Sequence, residues 1–468
     1  MTVHDRDLRR HHRGEGRRAI SLPRSAALAA VLVAAIPAAA QDAAPAPLLT
    51  LDDAIATAER QNHLLASTAR EVDKAGEREA ALRTRRLPGL HLDAFGSRSN
   101  SLDFTLPAGS LGTLPQLGPV PPTASKASVP GDYSLVAVAT ASQPLTQQYR
   151  IGLGLEVLQL DGRIAREDVR RERQRVAAGV RTTYYQLSAT EAGIEALRDL
   201  VRAVAELDAV TDRYLAEGVV LRPDALEVKA RLARERQRLA QAESSLATQR
   251  EHLNQLMGRD VTTPLRVSHP SELAAPAAGL TLDAARERAH ASRAEIRAAA
   301  LRTVQAETAR KLAWAGWIPD VSLTASYARL QNTRVLPDEV ATVGVLFSWE
   351  PFDWGRKGHE AAERAHEREQ ARQGREEAEE QIAVEVGQRW RALKDAAALL
   401  EATRLEADAS SASLDMDRNR YKENAAILRD VLRTEARLSG ARHDFTDALA
   451  GYWSAAAELE RTVGNEDD

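Results

Sequence analysis

Three side chains with metal-binding chemistry share one helical face: His359, Glu363 and His366 stand at i, i+4 and i+7. Two imidazoles and a carboxylate in that spacing would supply three of the four ligands of a tetrahedral zinc site. The surrounding stretch, HEAAERAHEREQ, is a dense run of charge. Its His359-Glu360 pair is followed by Ala361-Ala362-Glu363, so the HExxH arrangement of a zinc protease is absent. The run reads as a solvated helix face, and no metal is assigned to it. No glycine-rich phosphate cradle, nucleophile elbow or paired acid–base constellation occurs in the sequence. The chain also has no cysteine, which excludes disulfides and thiolate sites. Neither an enzymatic activity nor a cofactor is expected.

With no reactive centre to position, the elements themselves carry the information. The first forty residues run from an arginine-rich stretch (Arg9, Arg10, Arg13, Arg17, Arg18, Arg24) through an apolar segment, Ala26 to Ile36, to Ala38-Ala39-Ala40. This is the three-part pattern of a secretory signal peptide, so residues 1–40 are expected to be a leader. They hold seven arginines and three acids, a contribution of +4, and without them the formal charge moves from −4 to −8. That balance gives no basic face for nucleic acid. Beyond the leader no run of about eighteen apolar residues exists, so any membrane crossing must use β-strands.

The chain is written twice. Leu49-Thr50-Leu51-Asp52 returns as Leu280-Thr281-Leu282-Asp283, an offset of 231, and at the same offset Leu87-Pro88 falls on Ile318-Pro319. In both copies a capped helix of roughly 35 residues should precede the proline and an alternating strand should follow it. The second half of each copy matches at an offset of 206: Val180 to Leu187 falls on Val386 to Leu393, and Asp224 on Asp430. There Leu232, Leu239, Leu246 and Leu253 recur at heptad spacing, with Leu438, Phe445, Tyr452 and Leu459 as counterparts. Long helices rich in Ala, Glu, Arg and Leu with that spacing pair as coiled coils.

The offsets differ because the first copy holds an insertion, residues 100–132, with six prolines from Pro107 to Pro130. Domain boundaries follow: leader 1–40, first repeat 41–270, second repeat 271–464 with a short hairpin loop, and a tail 465–468. Each repeat reads helix, strand, loop, strand, long helix, turn, long helix. Four strands per chain cannot close a membrane barrel, which needs at least about eight, so copies of the chain must pool them.

The order L-T-L-D-D-A-I-A-T-A, L-P-G-L-H-L-D-A-F, then Arg213-Tyr214 and Gly218 leading to Asp224-Ala225-Leu226, resembles the TolC-like outer-membrane efflux protein family. P-F-D-W-G-R (Pro351 to Arg356) and Arg420-Tyr421 leading to Asp430-Val431-Leu432 extend the likeness through the second copy. The resemblance implies a mainly α fold with a small β part. A long α-helical coiled-coil barrel would continue a transmembrane β-barrel to which a homotrimer gives four strands per chain. It further implies an exit duct in the outer membrane, in contact with its lipid. Such a duct is passive, opened by a periplasmic adaptor (membrane fusion protein) and served by an inner-membrane pump. A periplasmic coiled-coil adaptor or scaffold is the competing reading, though neither requires two copies with a strand pair in each.

Trp314, Trp317, Trp349 and Trp354 flank the second hairpin and are expected to form a membrane-interface belt; the alternative is a small aromatic core. By the resemblance, Tyr421 and Asp430 match the residues that keep the periplasmic tip closed. Where the family has a second acid, Arg433 stands. A ring of Asp430 and Arg433 would lock by salt bridges; the plainer alternative is a helix-capping Asp430 and a solvated Arg433. Gly218, Pro223 and Asp224 shape the other tip, where an adaptor would dock.

Overall fold

Threonine, asparagine and glycine decide where the helices start and stop. In the computed structural model, which describes residues 48–98, 100–116, 118–129, 133–268, 279–331, 337–423, 425 and 428–464, strand β1 (Leu48–Leu49) leads into Thr50. The Thr50 hydroxyl accepts the Asp53 N–H at 3.2 Å and opens α1 (Leu51–Gln61). The leader 1–40 and the tail 465–468 lie outside the described residues.

The expected single helix before the proline is two helices. Asn62 takes an extended backbone, ends α1, and caps α2 (His63–Thr84) by accepting the Leu65 N–H at 2.9 Å. Its side-chain amide reaches away to the Leu256 carbonyl at 2.8 Å. Tethering that side chain to a distant helix end outweighs about one turn of continuous helix, because a buried carbonyl gains a partner.

The strands β2 (Gly89–Arg98) and β7 (Tyr133–Pro144) frame the insertion, which is not a plain loop. It carries a two-stranded ribbon, β3 (Leu102–Leu106) on β6 (Ser125–Val129), closed by a shorter pair, β4 (Thr113–Leu114) on β5 (Gly118–Pro119). Then come α3 (Gln147–Ala216) and α4 (Arg222–Leu256), followed by β8 (Arg266–Val267), which pairs in parallel with β1. The second repeat gives α5 (Leu282–Ser292), α6 (Ala294–Trp314), a 3-10 turn, β9 (Asp320–Gln331), β10 (Glu339–Ser348), α7 (Arg356–Lys422) and α8 (Leu428–Val463). With 70 residues, α3 is about 105 Å long at 1.5 Å per residue.

The duplication is visible in atomic detail. Thr281 caps α5 as Thr50 caps α1. The Tyr184 hydroxyl donates to the Leu49 carbonyl at 2.8 Å, and at the equivalent positions the Trp390 indole donates to the Leu280 carbonyl at 2.9 Å. Arg293 takes the place of Asn62: it separates α5 from α6 and donates to the carbonyls of Arg461 and Thr462. One core gathers Ala54, Val176, Val180, Leu253 and Met257; its twin gathers Ala285, Ile382, Val386, Leu459 and Val463. At the close of α4, Gly258 takes φ +68, with Arg259 N–H reaching the Asn254 carbonyl at 2.9 Å and Gly258 N–H the Gln255 carbonyl at 3.0 Å. Gly464, with φ +79, ends α8.

Candidate functional site

Strand alternation sets the first half of the site. The hairpins β2–β7 and β9–β10 join through β7 and β9 into one antiparallel sheet of order β10-β9-β7-β2. Because successive side chains point to opposite faces, the pairing sorts them. One face holds Leu90, Leu92 and Ala94 beside Ala141, Ala139 and Ala137, then Ala325 and Leu323 beside Val343 and Val345. The other holds His91 and Asp93 with Thr140 and Ser142, then Ser322, Thr324 and Ser326 with Thr342, and between them Phe95, Val136, Val138, Leu330 and Leu346. Hydroxyls pair across this second face: Ser326 with Thr342 at 2.6 Å, Ser97 with Ser134 at 2.8 Å. An apolar face opposite a hydroxyl-rich face is the chemistry of a membrane barrel wall, lipid on one side and water on the other.

This two-faced pattern escaped the sequence reading, which noted alternation without sorting the residues. The signal was there in Leu90-His91-Leu92-Asp93. Charged residues on the apolar face, Arg98, Arg329 and Glu339, occur only at the loop end, and Arg329 pairs with Glu339 at 3.8 Å. The outer strands β2 and β10 are exposed nearly throughout, so the sheet has two unpaired edges among the described residues.

At the opposite end of the hairpins the tryptophans gather. Ser348 lies opposite Asp320, which puts Trp349 and Trp317 at one level. All four rings are exposed, Trp314 and Trp349 at 54% and Trp354 at 88%, so they do not form a packed aromatic core within the chain. Trp354 has φ +57, a left-handed backbone that costs a non-glycine residue about 1–3 kcal/mol. Asp353 holds that turn by accepting the N–H groups of Gly355 and Lys357 at 3.2 and 3.0 Å, and Phe352 stacks edge-on to Trp354 at 4.9 Å. Exposed Phe352 joins the group as a residue the sequence reading missed.

The helical hairpin turns form the far ends. Gly218, with φ +73, ends α3 by the same device as Gly258: Val219 N–H reaches the Tyr214 carbonyl at 2.9 Å. Pro223 sits in the first turn of α4, where its missing N–H costs nothing, and Asp224 lies beside it at the positive end of the helix. Exposed Val219, Leu221 and Leu226 surround them, an apolar tip that alternation and heptads gave no reason to expect. In the second copy Asp430 is half-buried in the first turn of α8 and Arg433 is exposed. Tyr421 is the last residue but one of α7; its side chain lies outside the described residues.

Behind each tip one ion pair ties the two helices. Lys229 reaches Asp212 at 2.9 Å in the first copy, and Arg418 reaches Glu435 at 3.1 Å in the second. These are equivalent positions with the signs exchanged. The Asp212 carboxylate, by hydrogen bond and then by charge, holds the Lys229 ammonium above its usual range. Both pairs are exposed and add little stability.

His359, Glu363 and His366 stand exposed on α7, and among the described residues no group of three such side chains is placed to hold a metal. Nor is any described helix long and apolar enough to cross a membrane.

A two-faced sheet joined to helices of about 100 Å defines a channel-forming envelope protein. The chain belongs to the outer membrane efflux protein family, whose model matches residues 54–259 and 285–465. It is accordingly an outer-membrane efflux channel protein that extends into the periplasm, and not an enzyme. No curated protein matches it in sequence. Its fold is similar to that of CusC, a protein described for conformational changes accompanying folding and transmembrane channel formation. The two share 16% identity over 89% of this chain and 92% of CusC, with a TM-score of 0.72. The outer membrane channel CmeC of Campylobacter jejuni gives 14% identity over 88% and 85%, TM-score 0.72. The open state of the MtrE outer membrane channel of Neisseria gonorrhoeae gives 18% over 89% and 89%, TM-score 0.69. At these identities the likeness is one of fold.

Proposed function

We propose that three copies of the chain close one barrel from their four-stranded sheets and form a passive exit duct. A periplasmic adaptor opens that duct, and an inner-membrane pump feeds it. The observation that carries this reading is the sheet itself: one almost wholly apolar face, one mixed face that holds the hydroxyls, and two bare edges among the described residues. A bare edge in hydrocarbon leaves backbone groups unsatisfied at several kcal/mol each, so the strands are stable there only in a closed ring. Ten-residue strands such as β2 and β10 rise about 33 Å and, tilted by about 40°, cover about 25 Å, the height of an apolar barrel band.

In this reading Trp314, Trp317, Trp349 and Trp354 anchor the wall at the periplasmic lipid interface. Gly218, Pro223 and Asp224, with the apolar rim of Val219 and Leu221, form the adaptor-docking tip. Tyr421, Asp430 and Arg433 narrow the second tip, where alternating opposite charges lock the resting duct and replace a purely acidic ring. The supporting facts are the half-burial of Asp430, the exposure of Arg433 and the Arg418–Glu435 ion pair between α7 and α8.

Detergent extraction from outer membranes with mass determination, then conductance in planar bilayers, tests the reading. A three-chain particle that conducts weakly, and conducts at least several-fold more as the Asp430→Ala, Arg433→Ala double variant, is expected. A monomeric particle needing no detergent would refute it.

A further inference from the structure

At its loop end the apolar face of the sheet carries two cations and one acid. Strand pairing puts Arg329 opposite Ala137, Gln331 opposite Leu135 and Arg98 opposite Tyr133, successive outward positions along β7. Glu339 stands on the same face, opposite Arg329. The two arginines are two strands and four residues apart, so their Cα atoms are separated by about 16 Å, with Gln331 between them.

The register sets their depth. Ser348 lies opposite Asp320, so Trp349 is level with Pro319, and Arg329 stands about ten residues further along β9. Ten residues at about 3.3 Å, tilted by about 40°, rise about 25 Å, the height of the apolar band of a barrel wall. Facing lipid costs an arginine much at the middle of a bilayer and little at its interface. Tyr133 and Tyr327, exposed on the same face, mark that interface as tyrosines do.

Both guanidinium groups are open to an anion. Arg98 lies 5.1 Å from the centroid of the Tyr133 ring, and a guanidinium over a ring keeps its N–H fork for a second partner. The Arg329 side chain is 73% exposed, and its N–H group is 3.8 Å from Glu339, too far for a hydrogen bond. The tryptophan end of the wall is built differently: there Arg356 meets Glu350, Asp353 and Glu360. Two cations share one distant acid at the loop end, whereas one cation is surrounded by three at the other.

Resting on the barrel reading above, we propose that Arg98, Gln331 and Arg329 form a binding site for the anionic phosphate of lipids in the outer leaflet. The acyl chains of such a lipid lie against the apolar wall beneath the site. Arginine forks match phosphate oxygens two at a time, and at the edge of hydrocarbon these charge-assisted bonds are stronger than in water. Glu339 opposes the site, because it attracts Arg329 and repels the phosphate. The wall is then held at both levels, by tryptophans at one interface and by bound phosphate at the other.

Native mass spectrometry of the detergent-extracted full chain, titrated with dioleoyl phosphatidic acid, reads oligomeric mass and bound lipid together. The wild-type particle should retain phosphatidic acid in preference to phosphatidylcholine of the same chains. Apparent affinity should fall by about tenfold in the Arg98→Gln, Arg329→Gln double variant, the factor carried by one lost hydrogen bond to a charged group. Glu339→Gln should change it in the opposite direction, an increase that damaged folding would not produce. Arg85→Gln with Arg86→Gln removes the same charge from the other end of the sheet and should have much less effect. Equal losses from the two double variants, or no loss from the first in a particle of unchanged mass, would overturn the site. Displacement of the lipid by inorganic phosphate at equal concentration would overturn the lipid as its occupant. A single-chain mass would remove the barrel reading, and the site with it.

Discussion

Three glycines share one backbone conformation and differ only in what lies beside them, which separates strain from packing. Gly218, Gly258 and Gly464 have φ of +73, +68 and +79. A Cβ at Gly218 meets nothing within 4 Å. At Gly464 it meets the Ser292 hydroxyl oxygen at 2.3 Å, and at Gly258 it lies 2.1 Å from the Gln61 carbonyl oxygen and 2.6 Å from its carbon. Alanine in the left-handed region costs about 1–2 kcal/mol wherever it is placed, so Gly218→Ala should lose about that much. Gly258→Ala adds a backbone collision that must push apart the end of α1 and the end of α4. Overpacking of that kind costs about 1–3 kcal/mol more, for a total of about 2–5 kcal/mol. Gly464→Ala should fall between, because a serine side chain can rotate; in doing so it gives up its 2.6 Å bond to the Val463 carbonyl. Guanidinium unfolding of the detergent-solubilised protein, followed by far-ultraviolet circular dichroism, ranks the three midpoints. If Gly258→Ala unfolds at the same midpoint as Gly218→Ala, the close packing of helix ends is not what joins the halves of a repeat.

Further outcomes follow from the same contacts. Tyr184 is fully buried and its hydroxyl donates to the Leu49 carbonyl and accepts the Ser268 N–H at 3.0 Å; Tyr184→Phe should cost about 1–3 kcal/mol in the same unfolding assay. Burial pushes the Glu385 carboxyl up, yet Arg293 and Arg461 together hold it below its ordinary 4.5. A depressed carboxylate contributes its stability above the unfolded value and loses it as pH falls through the lower folded one, so the gap between wild type and Arg293→Gln should be constant above about pH 5 and shrink below pH 4. In vesicles, lipids brominated near the headgroup should quench most of the tryptophan fluorescence, and Trp354→Phe should reduce the quenched fraction; unchanged quenching would place that ring away from lipid.

The repeat was legible because its landmarks are chemical. Proline, cap threonines and heptad leucines survive in both copies, and each marks a helix end or a packed stripe. The break at Asn62 and Arg293 was not legible. These two residues do one job with unlike side chains, an amide in one copy and a guanidinium in the other, and the job is to satisfy carbonyls 194 and 169 residues away. No local pattern encodes such a partner. The ribbon inside residues 100–132 was hidden likewise, since its pairing of Phe104 with Ala127 and Thr105 with Lys126 follows no strict alternation of apolar and polar residues. At the tips, Gly218 and Pro223 were readable from turn chemistry, whereas exposed Val219 and Leu221 look in sequence like more of a helix core.

The histidines that most resembled a reactive centre take their meaning from the same duplication. His359 and His366 hold in α7 the positions that Leu153 and Leu160 hold in α3. Those leucines are buried, because α3 lies between α2 of its own repeat and α6 of the next. In α7 the own-repeat partner is α6, and among the described residues no further helix takes the second place. Leucine there would expose two large apolar side chains to water, whereas histidine is tolerated in it. The spacing that suggests a zinc site is thus the spacing of the stripe that the first repeat buries: i and i+7 lie about two turns apart on one face. Its polarity follows from facing outward from the chain, where His359, Glu363 and His366 are all exposed.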